Sequence, residues 1–127
     1  MVAILVWVAV LASLYAVIGI DDTDRQNCPY KSGGNPNASL RIAYFGNPFC
    51  IWCLILEPKL ERLVEQKGRS FYIQYFDDRY CVNEAEAFGV QAVPFFVFNK
   101  SGVITPHAGY IEESDMRSII CQETGDC

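Results

Sequence analysis

From Val2 to Ile20 the chain carries no charged side chain, and Ser13 is its only clearly polar residue. A helix of this length, at about 1.5 Å per residue, spans roughly 28 Å, close to one bilayer hydrocarbon core. A buried helix of a water-soluble domain would show a polar face, and none is present here. Residues 1–20 are therefore expected to form a single transmembrane anchor or uncleaved signal, since Val10-Leu11-Ala12 is a weak cleavage site. Residues 21–38 are rich in Asp, Asn, Gly and Pro, with neither helical nor strand periodicity, and read as a linker.

A regular pattern begins after residue 38, and residues 39–127 are expected to form one domain. Leu40 to Phe45 reads as a strand, Gly46-Asn47-Pro48 as a turn, and Cys50 to Lys67 as a helix ended by Gly68. Phe71 to Phe76, dense in aromatic and β-branched residues, reads as a second buried strand. Asn83 to Phe88 forms a short helix. Phe95 to Phe98 and Val103 to Tyr110 pair as a hairpin across the turn at Asn99 to Gly102, and Ser114 caps a last helix, Asp115 to Ile120. The order β-α-β-α-β-β-α makes the first strands parallel and the hairpin antiparallel, giving an α/β mixed central sheet flanked by helices.

The formal net charge of −5, with ten Lys and Arg scattered along the chain, offers no patch for successive phosphates, so nucleic acid is not an expected partner. Six cysteines are many for a protein kept in a reducing compartment. They place the domain outside the cytoplasm. The positive-inside rule points the other way through Arg25 and Lys31, but Asp21, Asp22 and Asp24 dilute that bias, and the cysteine count carries more weight.

Cys50-Ile51-Trp52-Cys53 sits at a strand-to-helix junction. Cys50 should occupy the first helical turn, where unpaired N–H groups and the helix dipole favour a thiolate. Cys53, three residues on, returns to nearly the same face and can attack a mixed disulfide formed at Cys50. The same spacing is also half of a zinc site, but no second close cysteine pair exists and His107 is the only histidine. No cofactor or resident metal is expected.

With Pro58 eight residues after Cys50 and Val93-Pro94 before a strand, these residues resemble the thioredoxin superfamily over roughly Leu40 to Ile120. The resemblance implies a thioredoxin-like fold, a kinked helix at Pro58, and a cis Val93-Pro94 bond that presents the Val93 backbone to an extended substrate. It implies protein thiols or disulfides as substrate. Trp52, apolar and bulky, is read either as a rim that binds extended chains or as a side chain packed on the domain or facing the membrane, and a tethered domain, which diffuses only in the plane of the bilayer, is expected to exchange electrons with a membrane redox partner. Ala108-Gly109 is similar to the family's small-residue position beside the groove. Many members carry a buried carboxylate six residues before the first cysteine; Tyr44 stands there in this chain. Val93 ahead of the proline is closer to the disulfide-donating periplasmic branch than to typical thioredoxin.

Cys28, Cys81, Cys121 and Cys127 allow three complete pairings; Cys28 with Cys81 and Cys121 with Cys127 are preferred, because a flexible linker can bring Cys28 to Cys81 and the last two bracket a short tail. Two other functions compete with disulfide exchange: a non-catalytic polypeptide-binding or scaffold module of a membrane complex, and a copper or zinc carrier using Cys50, Cys53 and His107.

Overall fold

Alternating apolar positions on three consecutive strands drive the architecture. The computed structural model describes residues 23–127. The expected anchor at residues 1–20 lies outside them, and no helix among the described residues is long and apolar enough to cross a membrane.

The elements are β1 (Lys31–Gly34), β2 (Leu40–Gly46), α1 (Ile51–Lys67), β3 (Phe71–Asp77), α2 (Val82–Ala87), β4 (Phe95–Lys100), β5 (Val103–Ala108) and α3 (Glu113–Thr124), preceded by a 3-10 turn, Asp24–Gln26. The strands form one five-stranded sheet in the order β1-β3-β2-β4-β5. β2 and β3 run parallel, while β4 is antiparallel to both β2 and β5, as the connections require.

Because side chains alternate across a strand, one face of the sheet carries Leu40, Ile42, Tyr44, Phe71, Ile73, Tyr75, Phe96 and Phe98. Against that face α1 sets Cys53, Leu56, Leu60 and Leu63, at helical spacing, and α3 adds Met116 and Ile120. The opposite face carries Phe45, Phe76, Phe95 and Val97 and is covered by α2 through Ala85. This is an α/β thioredoxin-like fold, a mixed sheet with helices on both faces.

Two sequence expectations change. Residues 21–38 are not linker throughout, since Lys31–Gly34 pairs antiparallel with β3 from Tyr72 to Tyr75. The strand escapes a periodicity search because it lies on the sheet edge and is mostly exposed, held by backbone pairing. Small residues are needed there, as a methyl group on Gly33 would come within 3.1 Å of Val64. The last helix runs Glu113–Thr124 with Glu112 as N-cap, beginning before Ser114 and passing Ile120 through polar residues that show no apolar period. Gly68 ends α1 as expected, in a right-handed conformation, and glycine is required there because a Cβ would sit 2.3 Å from the Val64 carbonyl oxygen.

The four remaining cysteines form the pairs Cys28–Cys81 and Cys121–Cys127. The first ties the segment before β1 to the start of α2. The second folds the tail back on α3, where Asp126 also accepts hydrogen bonds from Lys67 and Ser70.

Candidate functional site

Cys50 is the N-cap of α1, with extended backbone, and its sulfur accepts the Cys53 N–H at 3.2 Å. A sulfur in this position takes one of the unpaired amides at the helix start, an arrangement that stabilises negative charge on it. The loop behind it is fixed by Asn47, whose carbonyl oxygen accepts the Cys50 N–H and whose side chain accepts the Phe49 N–H and donates to Asp78. Cys50 is partly exposed, whereas Cys53 is fully buried, and both are free thiols. Burial, with the neighbouring Cys50 sulfur adding to it, pushes the Cys53 thiol up to about 12.

Facing the pair is the loop before β4. The Cys50 thiol lies 3.7 Å from the Val93 carbonyl oxygen, and the Val93-Pro94 peptide is cis. Gly109 donates its N–H to the Pro94 carbonyl oxygen at 2.9 Å, which fixes this loop to the end of β5. The structure thus brings Cys50, Cys53, Val93 and Pro94 together. Trp52 is 55% exposed, and its ring packs on Tyr110 at 5.4 Å. Phe49, Ile51, Leu54 and Ile55 are also exposed, so the first turns of α1 present an apolar surface around the partly open thiol.

Beneath the pair lies a polar cluster that sequence reading missed. Tyr44 packs edge-on against Tyr75 and tilted against Phe96, which leaves its hydroxyl under Cys53. A methyl group on Gly46 would lie 2.4 Å from that oxygen and 3.2 Å from the Cys53 sulfur, so the two polar atoms flank one glycine. Glu57, one helical turn after Cys53, reaches the same region. Its Oε1 accepts from the Tyr30 hydroxyl at 3.4 Å and lies 3.7 Å from Arg25. Burial raises the Glu57 carboxyl above the ordinary range, and Arg25 opposes that shift. Arg25 in turn approaches Asp77, a fully buried carboxylate whose main partner is Arg79 at 2.7 Å. The signal for Glu57 was available: residues four apart on a helix share a face, so Cys53 and Glu57 could have been paired. Arg25 and Tyr30 could not, because the strand that delivers them is silent in the sequence.

Cys50, Cys53 and His107 do not gather into a metal-ligating group. Among the described residues the grouping of donor atoms is Cys28, Cys81 and Glu84, and there both sulfurs are bonded to each other.

No family model matches the chain, and no curated protein does. Solved structures do match. A mutant thioredoxin from Halobacterium salinarum NRC-1 superposes with a TM-score of 0.62 at 27% identity, covering 69% of this chain and 77% of that one. A thioredoxin from Nicotiana alata gives 0.61 at 21% identity over 70% and 76% of the two chains. A malarial protein gives 0.62 at 17% identity over 67% and 97%. The latter two speak for the fold alone. The halobacterial likeness extends to the sequence, and with a free cysteine pair at the start of α1 it makes this chain a member of the thioredoxin superfamily, whose general chemistry is thiol–disulfide redox.

Proposed function

We propose that the chain is a membrane-tethered protein-disulfide oxidoreductase that exchanges disulfides with extracytoplasmic proteins through Cys50 and Cys53. The observation that carries this reading is the asymmetry of the pair: one sulfur is partly open and held by a helix-terminal N–H, the other is fully buried behind it. Cys50 forms the mixed disulfide with the partner, and Cys53 resolves it.

The Val93 carbonyl beside Cys50 supports a substrate backbone lying along this loop, as in strand addition. The exposed apolar side chains from Phe49 to Ile55, with Trp52 among them, support substrates in extended or unfolded form. Two further disulfides, Cys28–Cys81 and Cys121–Cys127, support an oxidising compartment. The uncharged run from Val2 to Ile20 supports a single-pass anchor, which makes a membrane oxidoreductase the natural electron partner. The reaction asks for no dissolved cofactor.

The test is Cys50→Ser in the full chain, assayed by insulin reduction and by disulfide transfer to a reduced unfolded protein. Turnover is expected to vanish in both directions; unchanged turnover overturns the proposal. A reduction potential below about −300 mV, with no transfer in either assay, would instead assign the pair a structural role in a polypeptide-binding module.

A further inference from the structure

Resolution of a mixed disulfide requires Cys53 to lose its proton, yet this thiol is fully buried, and the polar atom beside it across Gly46 is the Tyr44 hydroxyl. Two buried oxygens near it, Tyr44 Oη and Glu57 Oε2, have no hydrogen-bond partner of ordinary geometry. An unpaired buried polar atom is costly, and two in the neighbourhood of a reactive thiol call for a reason. The other Glu57 oxygen is already engaged by Tyr30 and Arg25, which leaves Oε2 as the open one. Tyr44 and Glu57 bear on each other's protonation, and Tyr44 does the same for Cys53.

We infer that Glu57, reached through the Tyr44 hydroxyl, is the proton acceptor for Cys53, a carboxylate supplied one helical turn beyond the thiol it serves. This inference rests on the redox reading of Cys50 and Cys53.

In the resolving step the Cys53 thiol passes its proton to Tyr44 Oη while the phenol passes its own to Glu57 Oε2, so the tyrosine is neutral before and after. The Cys53 sulfur then bonds to the Cys50 sulfur, and the bond from Cys50 to the partner's sulfur breaks. The electron pair leaves with the partner as a thiolate, which takes a proton from water. The cysteine pair is oxidised by two electrons and the partner's disulfide is reduced. The same groups run in reverse when the pair donates its disulfide.

The titratable and charged groups around this path are few. Arg25 from the 3-10 turn, with Tyr30 and Lys31 at the start of β1, faces Glu57; Tyr75 on β3 and Asp77 at its end lie behind; Cys50 faces Cys53. Arg25 and Lys31 are cations that favour the ionised carboxylate, the form able to accept a proton.

The experiment uses the full chain in detergent with Glu57→Gln and Tyr44→Phe, and follows by stopped flow the attack of Cys50 on a disulfide-bonded peptide and the later release of peptide thiol. Both variants should leave mixed-disulfide formation unchanged and slow release at neutral pH at least tenfold, on the order of the smaller general-base contributions. The deficit should shrink as pH rises and hydroxide takes over. Reaction-induced infrared difference spectra of the oxidised and reduced protein should show a carboxyl band in the parent that is missing in Glu57→Gln. Parental release rates and pH profile in folded variants, or the same band in Glu57→Gln, would overturn the inference. Tyr44→Phe removes a single unpaired oxygen and decides the matter if Glu57→Gln does not fold. Failure of the redox reading is distinct: the parent itself would then form no mixed disulfide.

Discussion

The Val93 carbonyl oxygen stands 3.7 Å from the Cys50 sulfur, while Cys53 sits behind that sulfur with no exposed surface. The two thiols of the reduced protein should therefore differ in reactivity. Iodoacetamide at pH 8 should add one label, at Cys50, and leave Cys53 unmodified until the protein is unfolded, because burial holds its thiol at about 12. Peptide mass mapping checks this. Equal labelling of both sulfurs in the folded protein would contradict the assigned burial.

Gly46 is the narrowest point of the site. Gly46→Ala would put a methyl group 2.4 Å from the Tyr44 oxygen and 3.2 Å from the Cys53 sulfur, and the Tyr44 ring is packed too tightly to swing away. Overpacking of this kind costs about 1–3 kcal/mol. In a domain of about 100 residues that corresponds to a melting point lowered by roughly 4–8 °C for each kcal/mol. Thermal unfolding followed by circular dichroism reads it, and an unchanged midpoint would mean that the strand end is looser than described.

The two structural disulfides should be unequal in worth. Cys28–Cys81 closes a loop with a sequence separation of 53, Cys121–Cys127 one of 6. Loop-closure entropy assigns about 4 kcal/mol to the first and about 2 kcal/mol to the second. Urea unfolding of the double serine variants, C28S/C81S and C121S/C127S, should show the larger loss for the former. The reverse order would point to the first disulfide as dispensable.

Glu57 gives stability an unusual pH slope. Its carboxyl is raised by burial, so between the ordinary value of 4.5 and its folded value the native chain holds a proton that the unfolded chain has released. Stability contributed by this group therefore falls as pH rises through that window and stays lower above it. Glu57→Gln should remove this part of the slope. Arg25→Gln, which takes away the opposing cation, should steepen it and extend it to higher pH. Urea midpoints between pH 4 and pH 8 measure both, and a parental slope in Glu57→Gln would assign the titration elsewhere.

The central sheet and the cysteine pair were legible because they rest on periodicity and spacing. Strand alternation in Leu40–Gly46 and Phe71–Asp77, and the leucines of α1 at helical spacing, announce buried faces, and a burial face is what sequence pattern encodes. Cys50, Cys53 and Pro94 follow from motif order along those elements. β1 was illegible for the opposite reason: its Lys-Ser-Gly-Gly sequence buries almost nothing, and its place is settled by backbone pairing with a strand forty residues away. The polar cluster beneath Cys53 fell with it, since Arg25 and Tyr30 arrive there only because β1 and the Cys28–Cys81 bond hold that segment down. Tyr44 was noticed as a departure in the sequence, but its meaning needed a partner on another element.

That stitched segment also fixes how far the domain can roam. On the proposed anchoring, the chain is already pinned at the 3-10 turn Asp24–Gln26, where Arg25 meets Glu57 and Asp77, so that about three residues, at most roughly 10 Å when extended, separate it from the expected anchor. A sulfur tethered so closely would work in a shallow layer above the lipid, and the proposal then favours partners met at the membrane surface.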